Sequence, residues 1–214
     1  NPWTVRNVLD MYVRRFSYTD TVQPPGGGAE YPGGISFTHD MGIANTIAPT
    51  GRSVYELRGL DGCFSYMTHE QLVNWVLTAA LYVEQAGDDT WLARRLDVLV
   101  ECLASLQSRD PPDPKQRRGL MGLDSSRVAG GSETTTYDSL DPSLGQARNN
   151  LYLAGKTWAA YVALEKLLAR GGRPDLAREA GQQAERCART IVSFVAEDGT
   201  IPAIMGETDS PGDP

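Results

Sequence analysis

Apolar positions recur at helical spacing over five stretches of the chain. In TVRNVLDMYVRRF, Val5, Val8, Leu9, Tyr12, Val13 and Phe16 share one face, and Thr4 stands where a cap is expected. THEQLVNWVLTAALYVEQAGDD follows a long irregular stretch, with Thr68 and Gln71 at capping-box spacing and a stop expected near Gly87. DTWLARRLDVLVECLASLQ turns back after that short link. ARNNLYLAGKTWAAYVALEKLLARGG forms a second long helix ending at Gly171 and Gly172. Pro174 then suits the first turn of PDLAREAGQQAERCARTIVSFVAEDG.

Two units therefore share one plan: a long apolar helix, a tight glycine link and a more amphipathic helix. Strand signals are poor. The expectation is an all-α chain of α/α hairpins, stacked as part of a helical toroid or solenoid, with the first helix of each hairpin inside.

The connections before the two apolar helices, Ser17 to Met67 and Ser108 to about Gln146, far exceed the roughly 12–15 residues of ordinary loops. Both are expected at the same end of the helical layer. One carries FTHDMG, the other TTTYDSLD, and that shared end is the candidate site.

Composition narrows the function. The 214 residues carry a formal net charge of -7, which argues against nucleic-acid partners. No stretch approaches the roughly 18 apolar residues of a membrane span. Cys63, Cys102 and Cys187 are too scattered for a disulfide framework or zinc site, and the latter two fall within helical patterns as buried thiols. His39 and His69 lack metal-ligand spacing, so no catalytic metal and no cofactor are expected. His69 opens a helix and reads as structural or as a rim residue. His39 beside Asp40 reads equally as a solvated pair or as an imidazole and carboxylate bonding sugar hydroxyls. Asp141 precedes Pro142 and suits a turn. Asp138 follows Tyr137 and a threonine run, surroundings that can raise a carboxyl pKa toward that of a general acid. PPGGGAEYPGG lacks the GK[ST] of a phosphate loop, and no G-x-S-x-G elbow occurs.

Six stretches carry a resemblance across nearly the whole chain: NPWTVRNVLDMYVRRFSY, EYPGGISFTHDMG, GCFSYMTHEQLVNWVL, MGLDSSR, TTYDSLDPSLGQARNNLYLAGKTWAAYVALEKL and AEDGTIPAIMGE. In these the chain resembles glycoside hydrolase family 52, the bacterial β-xylosidases. The resemblance implies a retaining exo-acting enzyme that removes terminal xylose from xylo-oligosaccharides or aryl xylosides. It also implies an (α/α)6 barrel preceded by a β-sandwich domain, in a bacterial cytoplasmic protein without nucleic-acid or membrane partners. It leaves a homodimer open. It assigns the general acid/base to Asp138 and sugar contacts to Asp40, His39 and Thr136. Tyr137 and Arg148 are read as structural.

The family's nucleophilic Glu sits in a motif similar to NEGEYRMMNTFD, which has no counterpart here. Glu30, Glu56, Glu70 and Glu133 lie outside any such motif. Residues 1–214 are accordingly expected to be the central fragment of the barrel domain, without the β-sandwich, the nucleophile segment and the last barrel helices. Such a piece is expected to be inactive alone and to pair with the remainder of its own domain. Alternatives are β-glucosidase-type specificity or a non-catalytic helical sugar-binding fragment.

Overall fold

The computed structural model describes residues 1–57, 67–127 and 150–205. Helix α1 spans Pro2–Arg15, α2 Thr68–Ala86, α3 Asp89–Ser108, α4 Leu151–Arg170 and α5 Pro174–Ser193. The link after α2 works as the sequence implies: Gly87 takes a left-handed conformation at φ 63°, and its N–H closes on the Val83 carbonyl. Asp88 then caps α3 by accepting the Trp91 N–H at 2.9 Å. Pro174 opens α5.

Two caps differ from expectation. Asn1, rather than Thr4, caps α1, accepting the Trp3 N–H at 3.1 Å. Thr68 is the first helical residue of α2 rather than its cap. Its hydroxyl instead accepts from the buried Arg109 at 3.0 Å, and that stronger charged donor takes it from the helix end.

Side-chain ties fix how the helices run. Arg6 reaches Asp88 at 4.0 Å, and Asp10 accepts from Trp91 and Arg95 at 2.8 Å each, so α1 runs with α3 and against α2. Gln107 meets Glu179 and Arg173 meets Asp97, so α5 runs with α3. Helices α2 and α4 form the opposing parallel layer, joined by His69–Thr157 and Glu70–Lys156. The main core lies between these layers, with Trp91, Leu72, Leu99, Leu103, Tyr161 and Leu164 among its buried side chains. Cys102 and Cys187 are free and buried, and burial pushes the Cys187 thiol up to about 12. Cys63 lies outside the described residues. No helix among the described residues is long and apolar enough to cross a membrane.

The all-α expectation needs correction. The segment after α1 supplies β1 (Ser17–Gln23) and β2 (Tyr31–Phe37), which join β5 (Asp124–Ser125), from the segment after α3, in an antiparallel sheet ordered β2-β1-β5. A two-stranded ribbon follows, β3 (Gly42–Ile43) with β4 (Thr46–Ile47), and then a 3-10 turn at Val54–Glu56. The missed signals have physical causes. In β1, Asp20 occupies a buried position in the two-residue alternation, which hides the apolar pattern. Arg109 neutralises it at 2.7 Å, and Ser125 donates to its other oxygen at 2.8 Å. In β2, Pro32-Gly33-Gly34 reads as loop. The glycines are there for close approach: a Cβ on Gly33 would lie 2.9 Å from Val22 and 3.1 Å from the Asp20 carbonyl oxygen. Ser105 of α3 donates to the Gly33 and Ile35 carbonyls at 2.6 and 2.7 Å, and Ser36 donates to the Thr68 carbonyl. The sheet is thus seated on α3 and the start of α2.

Candidate functional site

The N-terminal ends of α2 and α4 lie side by side. Glu70 in the first turn of α2 accepts from Tyr152 and Lys156 of α4 at 3.0 and 2.9 Å. The chain reaches α4 through Asn150, whose side chain accepts the Leu153 N–H at 2.7 Å. The FTHDMG segment is tied to the same end, since Ser36 bonds Thr68 and Phe37 stacks on Trp75 at 5.0 Å. Asp138 and Thr136 lie outside the described residues, as do Tyr137, Asp141 and Arg148.

His39 and Asp40 follow β2, where its last residue, Phe37, is anchored in the core. Asp40 is no solvated loop carboxylate. Its Oδ1 accepts the Val54 N–H at 3.0 Å, while its Oδ2 accepts the Ser53 hydroxyl and faces His39 Nδ1 at 3.3 Å. Ser53 in turn accepts the Tyr55 N–H and donates its own N–H to Glu56, a reciprocal cap of the 3-10 turn. Asp40 therefore staples the 53–56 turn to the end of β2. The same carboxylate holds the imidazole by its Nδ1 edge. Tyr55 meets His39 edge-on at 5.7 Å. Tyr12 lies near enough that burial and the Asp40 charge together raise its pKa.

His69 is fully buried, as a structural role requires. Thr157 donates to the Leu153 carbonyl at 2.8 Å, so at the 2.9 Å contact His69 Nε2 donates to Thr157 Oγ1. Burial, with the charges of Arg109 and Lys156, holds its pKa well below the ordinary value, and the ring is neutral near pH 7.

The sequence reading did not pick out the polar cluster around Glu70. Lys156 bridges Glu70 and Asn74 and lies over the Tyr152 ring at 4.8 Å. Glu70 Oε2 is buried and has no hydrogen-bond partner among the described residues. Tyr152 and Lys156, four apart on one helix, form a polar pair within an otherwise apolar pattern. That was the available signal, but their acceptor lies 82 and 86 positions away. Among the described residues, no group of three His, Cys, Asp or Glu side chains could hold a metal ion.

Comparison with known proteins identifies this frame. A family model described as glycosyl hydrolase family 52 matches residues 1–82. Two relatives, both named beta-xylosidase and both from Geobacillus stearothermophilus, match nearly all of the chain. One is 67% identical over 207 residues, covering 97% of this chain and 29% of the relative. The other is 50% identical over 211 residues, covering 99% of this chain and 34% of the relative. The similarity to these two proteins runs over nearly the whole chain. Over residues 1–82 the chain is thus similar to glycosyl hydrolase family 52, and it spans about a third or less of the length of these relatives.

Proposed function

We propose that the intact protein is a retaining exo-β-xylosidase acting on xylo-oligosaccharides. The observation that carries this reading is the 67% identity, over 97% of the chain, to a protein named beta-xylosidase. In this reading Asp138 is the general acid/base. It protonates the leaving oxygen, then deprotonates the water that hydrolyses the xylosyl-enzyme intermediate. The nucleophile is a Glu outside residues 1–214, held about 5–5.5 Å from the Asp138 carboxyl, as a retaining mechanism requires. Thr136, His39 and Asp40 contact the sugar in the −1 position. Support for the last two comes from the contact between His39 Nδ1 and Asp40 and from the anchoring of Asp40 at the end where α2 and α4 begin. In this reading His39 contacts a sugar hydroxyl, and Asp40 holds the ring in place for it.

The two-layer hairpins fit a sector of an (α/α)6 barrel, with α2 and α4 as inner helices and α1, α3 and α5 as outer ones. An apolar groove of about 400 Å3 between α2 and α4, with Leu81 on its rim, fits a surface covered by further helices of the same polypeptide. The test is hydrolysis of aryl β-xyloside and aryl β-glucoside by the full-length protein and by residues 1–214 alone. The reading expects xyloside turnover by the first and none by the second. Preference for the glucoside would reassign the sugar, and no turnover of either by the full-length protein would overturn the enzyme.

A further inference from the structure

Beside the turn that Asp40 holds, Tyr18, Thr50, Gly51, Arg52, Glu56 and Arg127 bound an open polar pocket of about 640 Å3. That size falls within the roughly 300–1,000 Å3 of small-ligand sites. Arg127 is fixed in place. Its guanidinium lies over the Tyr18 ring at 3.9 Å, donates to the Gly51 carbonyl at 3.3 and 3.4 Å, and pairs with Glu56. The wall behind it is equally constrained. Glu56 accepts the Ser53 N–H at 3.1 Å, and Gly51 donates its N–H to the Arg15 carbonyl at 2.9 Å. Arg52 stands apart from this: it is exposed on the rim, and its side chain makes no hydrogen bond or ion pair among the described residues.

Among the described residues, two guanidiniums against one carboxylate give the lining a surplus positive charge, on a chain whose formal net charge is -7. A local field of sign opposite to the whole molecule attracts anions that the rest of the surface repels. The lining also limits which anion fits. Arg52 presents the planar fork that matches a carboxylate or another oxyanion. Glu56 accepts hydroxyl protons but opposes a ligand bringing two negative charges close. A singly charged, polyhydroxylated ligand meets both conditions.

We propose that this pocket binds the carboxylate of a uronate sugar, with Arg52 as its ion-pair partner and Glu56 and Thr50 facing the sugar hydroxyls. The proposal rests on the glycosidase reading, to which it adds an acidic substituent as a feature of the substrate. The connection is physical: Glu56 and Ser53 cap one turn, and the Ser53 hydroxyl bonds Asp40.

Titration calorimetry on the full-length protein tests it, with D-glucuronate, D-glucose and inorganic phosphate as separate probes. Glucuronate should bind about tenfold or more tighter than glucose, the scale of one hydrogen-bonded charge. Arg52→Ala should lose that advantage, Arg52→Lys should restore part of it, and added salt should weaken glucuronate binding. Thermal melts of both variants should match wild type, because Arg52 lies on the surface. Equal binding of glucose and glucuronate would overturn the proposal, and so would full glucuronate affinity in a folded Arg52→Ala. Phosphate competing at equal concentration would also overturn it, marking a plain anion site. Absence of aryl xyloside turnover would instead sink the glycosidase reading and leave the titration result standing.

Discussion

Removing the Asp20 carboxylate should cost more stability than any surface change on the molecule. Asp20 and Arg109 are both fully enclosed, with side-chain exposures of 1% and 0%, and their charged atoms meet at 2.7 Å. Ser125 donates to the other Asp20 oxygen at 2.8 Å. In Asp20→Ala the guanidinium stays charged and buried beside Thr68 with its ion pair to Asp20 removed, and Ser125 loses the Asp20 oxygen to which it donates. Breaking a buried pair from one side costs about 3–5 kcal/mol, against about 0–1 kcal/mol for an exposed pair. The assay is urea and thermal unfolding of the full-length protein, followed by tryptophan fluorescence, because Trp75 and Trp91 are buried in the same core. The double variant Asp20→Leu/Arg109→Met should recover much of the loss, since an apolar replacement leaves no orphaned charge. A loss below about 1 kcal/mol in Asp20→Ala, or a double variant worse than the single, would refute the reasoning that this pair seats the sheet on α3.

Two further outcomes follow from the α2–α4 contact. Glu70→Ala should lower stability by about 1–3 kcal/mol, less than Asp20→Ala because Lys156 keeps some water contact, and Glu70→Ala/Lys156→Met should regain part of it. Melts identical to wild type would mean that the ion pair does not join the helices. His69 has a folded pKa below its unfolded value of 6.5, so the unfolded chain takes up a proton that native His69 refuses. Stability should therefore fall as the pH drops below about 6.5, by up to about 1.4 kcal/mol per pH unit from this group, while nothing is lost from it above that pH. His69→Gln should flatten that limb in urea titrations between about pH 5 and 6.5. An unchanged slope would remove His69 from the account.

The helices were legible because each carries its own signals: apolar spacing, Gly87, Gly171 and Gly172 at the ends, Pro174 at a start. The sheet was not, because its pairing residues carry signals that point the other way. Asp20 breaks the alternation of β1 and is stabilised by Arg109 and Ser125, 89 and 105 positions later. Gly33 and Gly34 read as loop until Ser105 and Val22 are seen pressed against them. The capping box at Thr68 failed for the same reason, since a partner distant in sequence claimed the hydroxyl. At the site, the neighbours His39 and Asp40 drew attention through their type and adjacency. The sequence could not show that Asp40 is an internal staple, because Ser53 and Val54 reach it only through the fold. The cluster of Glu70, Tyr152 and Lys156 is likewise assembled from two helices far apart in the chain. The role proposed for Asp138 came from the family pattern of its motif, with no contribution from spacing.

The most direct test of that role is a leaving-group comparison in the full-length protein. Asp138→Ala and wild type are assayed on two aryl β-xylosides, one with an activated phenol and one with a poorly departing alcohol. A general acid contributes typically about 10²–10⁴-fold where the leaving oxygen needs a proton. The account predicts a loss on that scale for the poor leaving group, with glycosylation of the activated substrate largely spared. Equal, mild losses on both substrates would contradict it and take Asp138 out of the mechanism.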